Sequence, residues 1–263
     1  MLFDSHAHYF DERFGEELEC SVEQLLGELF ANDVKYIINV ATNPKNAITA
    51  IDMARAFSGM YASVGLHPED ARYSEDVEAD LRAIENIIVS GKGEGKIKAV
   101  GEIGFDYHYE GYDKERQRYC FEYQLDMAKR LGLPVIIHDR DAHGDVFETV
   151  LKYPDVKGVF HSYSGSAEMA KELQRRGWYI SFSGVLTFKN AAKSKEVAKI
   201  VDEDKMLIET DCPYLAPHPY RGKLNHSGLM IYTAEALAEA RGMSFEQVCA
   251  ITENNAKRLF NID

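Results

Sequence analysis

The chain has 263 residues, 45% of them hydrophobic, enough for a large core, and a single α/β barrel of roughly 250 residues fits that length. Its 43 acidic against 30 basic residues leave a formal charge of -13, which excludes a general basic field for holding polyanions, so a nucleic acid partner has to be bound locally. Cys20, Cys120, Cys212 and Cys249 lack the short spacing of a zinc knuckle or redox pair and read as reduced thiols. No run approaches about eighteen apolar residues, and no basic region with a long apolar segment precedes the first strand. The expectation is a cytoplasmic protein with no membrane contact and no obligate protein partner.

Met1 to His8 is a short apolar run that ends in two histidines one residue apart. A strand places alternate side chains on one face, so His6 and His8 point together as half of a first-row metal site. Ser21 to Gln24 has capping-box form, and Val22, Leu25, Leu26, Leu29 and Phe30 follow at helical spacing. Tyr36 to Ala41 reads as a strand, Pro44 to Phe57 as a helix, and Tyr61 to Leu66 as a strand closed by His67-Pro68. A helix over Val77 to Ser90 leads through a glycine-rich turn, Gly91 to Gly95, into the strand Ile97 to Phe105, which carries Glu102.

Asp113 to Leu131 is a long amphipathic helix, followed by a buried-type strand, Leu133 to His138. A sixth strand, Lys157 to Phe160, stops at His161. Helix Ala167 to Arg176, strand Trp178 to Phe182, helix Ala191 to Val201 and strand Met206 to Asp211 come next, and the capping box Ser244 to Gln247 opens a final helix. Eight strands alternating with helices, without a composition break, predict one TIM (β/α)8 barrel domain over residues 1–263, with an open doubly wound sheet as the alternative.

His6, His8, Glu102, His138, His161 and Asp211 all fall at or near the C-terminal ends of predicted strands, the face on which barrels assemble active sites. Four imidazoles and two carboxylates exceed the needs of one tetrahedral ion and predict a site for two divalent ions, with Glu102 as the natural bridge because it has two oxygens. Zinc and manganese suit such mixed ligands, and magnesium suits them less well. Such ions polarise an ester or phosphoryl oxygen and lower the pKa of a water, so hydrolysis is the expected reaction. Asp211 has two compatible roles, metal ligand and general base. Asp4 and Glu209 each lie two residues before a proposed ligand, on its face of the strand but deeper. They are expected to hydrogen-bond the ligands or to form an ion pair in the barrel core.

Asp4-Ser5-His6-Ala7-His8, Gly65-Leu66-His67-Pro68, Gly101-Glu102-Ile103-Gly104-Phe105-Asp106, His138-Asp139-Arg140, His161-Ser162-Tyr163-Ser164-Gly165 and Glu209 to Pro217 together span nearly the whole chain. In these motifs the chain resembles the TatD family of metal-dependent hydrolases and deoxyribonucleases, within the amidohydrolase-like barrel superfamily. The resemblance implies that His6, His8, Glu102, His138, His161 and Asp211 ligate metal and that water attacks a phosphodiester. One departure is Ser227, where the family commonly has proline two residues after the asparagine, here Asn225.

Arg140 shares the parity of His138 and is a phosphate candidate. Arg221 and Lys223 lie in the loop after the last barrel strand, where barrels often bind phosphate, and read equally as solvated charges. His67 reads as a group that orients substrate or protonates the leaving oxygen, or as a packed loop imidazole. DNA, bound locally and weakly, is the expected substrate. The alternatives are D-aminoacyl-tRNA deacylation, another ester or amide hydrolysis of the same superfamily, or a non-catalytic metal-binding protein.

Overall fold

The computed structural model describes residues 1–263. Strand β1 (Leu2–Ala7) is buried along its whole length, as a strand covered on both faces must be. Helix α1 (Glu12–Glu17) is capped by Asp11, and α2 (Val22–Ala31) opens with the reciprocal Ser21 and Gln24 capping box. After β2 (Val34–Val40), α3 (Pro44–Ala56) starts at Asn43, with Pro44 at a position that needs no N–H. β3 (Met60–Val64) runs into a short helix α4 (Pro68–Tyr73), and α5 (Val77–Gly91) leads to β4 (Ile97–Asp106).

The second half repeats this pattern. α6 (Lys114–Leu131) ends at Gly132, whose positive φ of 66° closes the helix. β5 (Val135–Arg140), α7 (His143–Leu151) and β6 (Gly158–Phe160) follow. Then come α8 (Ala167–Arg175), β7 (Tyr179–Phe182), α9 (Ala192–Ile200) and β8 (Met206–Ile208). The chain finishes with α10 (Met230–Arg241) and α11 (Phe245–Phe260).

The eight strands stand in one sheet in chain order, and their pairings are parallel. Beyond β8 the chain returns to β1: the Asp211 N–H donates to the His6 carbonyl at 2.9 Å, and the His8 N–H donates to Cys212 at 2.8 Å. This is the (β/α)8 barrel rather than the open sheet. No helix is long and apolar enough to cross a membrane, and the four cysteines are free thiols.

Contacts group into two compact units, Met1–Asn39 with His161–Asp263, and Val40–Phe160. In the first, Phe3 of β1 stacks on Phe260 of α11 at 6.2 Å and meets Tyr36 at 5.2 Å. In the second, Phe105 of β4 meets Phe121 of α6 edge-on at 5.4 Å, and Leu66, Ala71, Leu81 and Cys120 form a buried cluster.

Several strand boundaries differ from expectation: β2 starts at Val34 rather than Tyr36, and β3 ends at Val64 rather than Leu66. β5 extends to Arg140, because β4 pairs with it as far as Asp106 opposite Arg140. β8 stops at Ile208 rather than Asp211: Asp211 takes a left-handed φ of 58°, so Glu209, Thr210 and Asp211 lie on a turn out of the strand. Helices α1, α4, α7 and α10 are additions. α7 begins without a side-chain cap, and the buried face of α10 includes Thr233, Ala234 and Ala238, which give little apolar contrast in a sequence.

Candidate metal centre

In the first unit, β1 delivers His6 and His8 side by side, with their Nε2 atoms 3.0 Å apart. Asp211 Oδ1 lies 3.3 Å from His8 Nε2 and 3.6 Å from His6 Nε2. The His161 ring stacks on His6 with centroids 4.1 Å apart. His6, His161 and Asp211 offer one ligand atom each, all within 4.8 Å of one another. Burial works against the charge of Asp211, but the His8 hydrogen bond and the surrounding imidazoles outweigh it and hold the carboxyl below its ordinary value.

Asp4, on β1, and Glu209, just past the end of β8 rather than on it, are both fully buried. Glu209 Oε1 accepts from the Ser162 N–H at 2.7 Å and lies 3.3 Å from His161 Nδ1, so it orients that ring. Its other oxygen, Oε2, is buried without a hydrogen-bond partner. Asp4 is fully buried and accepts from the Thr210 hydroxyl at 2.6 Å, the Thr210 N–H at 3.0 Å, the Ser227 hydroxyl at 2.7 Å and the His6 N–H at 3.2 Å. Burial pushes its carboxyl up to about 6, against the pull of the Thr210 and Ser227 hydrogen bonds. Asp4 therefore ties β1 to the turn that carries Asp211.

Ser227 explains its own departure from the family pattern. Its hydroxyl reaches both Asp4 and Tyr9, and its N–H donates to the Tyr9 hydroxyl at 2.9 Å, a bond that proline lacks the hydrogen to make. Asn225 holds the same loop through the carbonyls of Thr210 at 3.0 Å and Tyr214 at 2.7 Å. Asp4→Ala would strand several of these buried donors. It is expected to lower the unfolding free energy of metal-free protein by about 3 kcal/mol in a denaturant titration. A loss below about 1 kcal/mol would mean that the donors find other partners.

The second unit holds another cluster. His138 Nδ1 lies 2.6 Å from Glu102 Oε1, and its Nε2 lies 3.0 Å from Asp106 Oδ2. His67, Glu102 and His138 offer ligand atoms within 4.8 Å of one another. A neutral imidazole has one N–H and can donate to only one of its two carboxylate partners, so the other contact needs a further proton or a cation. That donor chemistry fits a divalent ion held by Glu102 and His138.

His67 faces Glu102 at 3.8 Å through Nε2, while its Nδ1 accepts the Glu69 N–H at 3.1 Å. A neutral ring that accepts at Nδ1 carries its proton on Nε2, which suits a donor to substrate better than a ligand.

Asp106 was not among the expected site residues. It stands on β4 at the alternation of Glu102, the signal that could have found it. It is buried and accepts the His108 N–H at 2.9 Å. Burial raises its carboxyl, but the His138 hydrogen bond and charge win, leaving it below its ordinary value. Glu69 is raised by burial and then by the charge of Asp106. Arg140 is exposed and rests over the Tyr109 ring, 5.3 Å from the guanidinium, rather than pairing with an acid. Arg221 is exposed over Phe188 at 3.9 Å, and Lys223 is exposed nearby in sequence.

The model of the family described as TatD related DNase matches residues 3–261. The chain is 42% identical over 266 residues to "Uncharacterized metal-dependent hydrolase YabD" of Bacillus subtilis (strain 168), covering 100% of both chains. It is 37% identical over 265 residues to "Uncharacterized metal-dependent hydrolase YcfH" of Escherichia coli (strain K12), covering 100% of this chain and 97% of that protein. The crystal structure of YjjV, a TatD homolog from Escherichia coli K12, superposes with a TM-score of 0.90 at 28% identity, covering 100% of this chain and 98% of that one. Barrel order, imidazole and carboxylate clusters at the strand ends, and a match over nearly the full length agree: the chain belongs to the TatD family of metal-dependent hydrolases.

Proposed function

We propose that the protein hydrolyses phosphodiester bonds of DNA, using two divalent ions, magnesium, manganese or zinc. In this reading His6, His8, His161 and Asp211 would hold one ion and Glu102 and His138 the other, with Glu102 offered as the ligand common to both. The observation that carries this reading is the pair of donor clusters, each with imidazole and carboxylate atoms within 4.8 Å and each at strand ends. The family description as a DNase supports the choice of phosphodiester over amide. When bound, the ions supply Lewis acidity, polarising the phosphoryl oxygen and bringing the pKa of water toward neutrality.

The remaining steps belong to the chain's own residues. Asp211, held ionised by its imidazole neighbours, accepts the proton of the attacking water. A carboxylate of low pKa is a weak base, so it serves here only because the water is itself acidified. Glu209 keeps His161 in one orientation, and Asp106 does the same for His138. His67 directs its Nε2 proton at the phosphate or the leaving oxygen, and Arg140 offers a guanidinium to the strand.

A screen of single-stranded DNA, duplex DNA, RNA, aminoacyl-tRNA and cyclic amides under one set of conditions, with metal and after chelation, tests this reading. DNA turnover that disappears with the metal is expected. Turnover confined to aminoacyl-tRNA or to cyclic amides would replace the phosphodiester assignment.

A further inference from the structure

Asp211 and Leu215 both take left-handed backbone, with φ of 58° and 52°, in the turn that leaves β8. Residues other than glycine keep such conformations only where their surroundings fix them. The Asp211 N–H reaches the His6 carbonyl at 2.9 Å, and Thr210 reaches Asp4 through its N–H at 3.0 Å and its hydroxyl at 2.6 Å. Asn225 donates to the carbonyls of Thr210 at 3.0 Å and Tyr214 at 2.7 Å, and two residues later the Ser227 hydroxyl closes on Asp4 at 2.7 Å. The segment from Asn225 to Ser227 therefore holds the turn twice, once directly and once through Asp4.

Every hydrogen around Ser227 has one place to go. The Asp4 carboxylate receives four donors, the N–H groups of His6 and Thr210 and the hydroxyls of Thr210 and Ser227. An ionised carboxylate only accepts, and a serine hydroxyl has one proton to give. Ser227 gives it to Asp4, so the Tyr9 hydroxyl, 2.7 Å away, donates to Ser227 Oγ, and the Tyr9 oxygen accepts the Ser227 N–H at 2.9 Å. Asp4, Tyr9 and Ser227 are all buried. Without the Ser227 hydroxyl, the carboxylate that anchors Thr210 has one restraint fewer and the Tyr9 proton loses its acceptor.

We propose that Ser227 is a positioning residue for the cluster of His6, His8, His161 and Asp211: its hydroxyl, through Asp4 and Thr210, holds the Asp211 turn in the arrangement that takes a divalent ion. The proposal rests on the reading of these residues as ligands, and it concerns affinity for the ion rather than stability of the fold alone. The donor atoms already stand close, with Asp211 Oδ1 3.3 Å from His8 Nε2 and 3.6 Å from His6 Nε2. Preorganised ligands bind without a cost of ordering, so a turn that loses a restraint loses affinity. Proline, common at this position in the family, has neither the hydroxyl nor the N–H, so this coupling belongs to the present chain.

Cobalt(II) is the probe, because its visible bands report the geometry around the ion as well as its binding. Wild type, Ser227→Ala, Tyr9→Phe and Thr252→Ala are titrated with cobalt in competition with a chelator, and each metal-free protein is unfolded in denaturant. Thr252 is the control for stability alone: it is a buried residue of α11 whose hydroxyl bonds the Val248 carbonyl at 2.9 Å. Ser227→Ala is expected to bind cobalt about tenfold more weakly, with a changed visible band, the usual cost of losing a hydrogen bond behind a ligand. Tyr9→Phe keeps the ring stack on Phe14 and the bond from Ser227 to Asp4, so a smaller loss is expected there. Thr252→Ala is expected to lose stability and keep wild-type affinity. Unchanged affinity and spectrum in Ser227→Ala would overturn the proposal, and so would an equal loss of affinity in Thr252→Ala. If Ser227→Ala does not fold, Tyr9→Phe decides: a weaker cobalt complex supports the proposal and an unchanged one overturns it. Wild type that binds no cobalt would refute the ligand reading itself, a failure distinct from an unaffected variant.

Discussion

Asp211→Asn is expected to lower single-turnover hydrolysis about a hundredfold or more, with metal content close to wild type. The substitution keeps the side-chain size and one side-chain oxygen but removes the carboxylate proposed to take the proton. Its backbone should hold, since Asp211 has a φ of 58° and asparagine tolerates the left-handed region well. The carboxyl sits below its ordinary value through the His8 hydrogen bond and the neighbouring imidazoles, so it stays ionised across the neutral range. Any acid limb due to its protonation therefore lies below ordinary carboxylate values in wild type and is absent from the variant. Metal content and turnover need to be measured on one preparation across a pH series. Normal hydrolysis with full metal would reject the proton-transfer role. Joint loss of metal and activity would leave Asp211 as a ligand and move the search for a base to Glu209.

What was legible in the sequence was whatever periodicity and capping encode. The Ser21 and Ser244 boxes start α2 and α11 where expected, and the alternation of apolar residues places β4 and β5 with their ligand-type side chains. Illegible features depend on tertiary contact. β8 ends early with the left-handed φ of 58° at Asp211, a turn fixed by tertiary contacts such as the Asp211 N–H bond to His6, a residue far away in the chain. α10 buries a face too rich in alanine and threonine to announce itself. Asp106 was open to the same alternation argument as Glu102, but its partner His138 lies on another strand, and only their 3.0 Å contact marks it. Ser227 looked like a gap in a pattern until its hydroxyl and N–H were placed against Asp4 and Tyr9.

Glu102→Ala carries the second large effect: if Glu102 is the ligand common to both ions, as proposed, its loss affects both. Glu102 is buried, and its Oε1 contacts His138 Nδ1 at 2.6 Å, so the substitution also removes the carboxylate partner of that nitrogen and leaves the ring only Asp106 at Nε2. Turnover should fall to near background even with metal in excess. His138→Ala should weaken one ion selectively and so serves as the internal comparison. The most direct measurement is the metal content of reconstituted protein after removal of unbound ions, for wild type, Glu102→Ala and His138→Ala. Wild type is expected to approach about two ions per chain. Reduced occupancy of both ions in Glu102→Ala, against one in His138→Ala, supports the shared centre. Full retention of both ions in Glu102→Ala would contradict it.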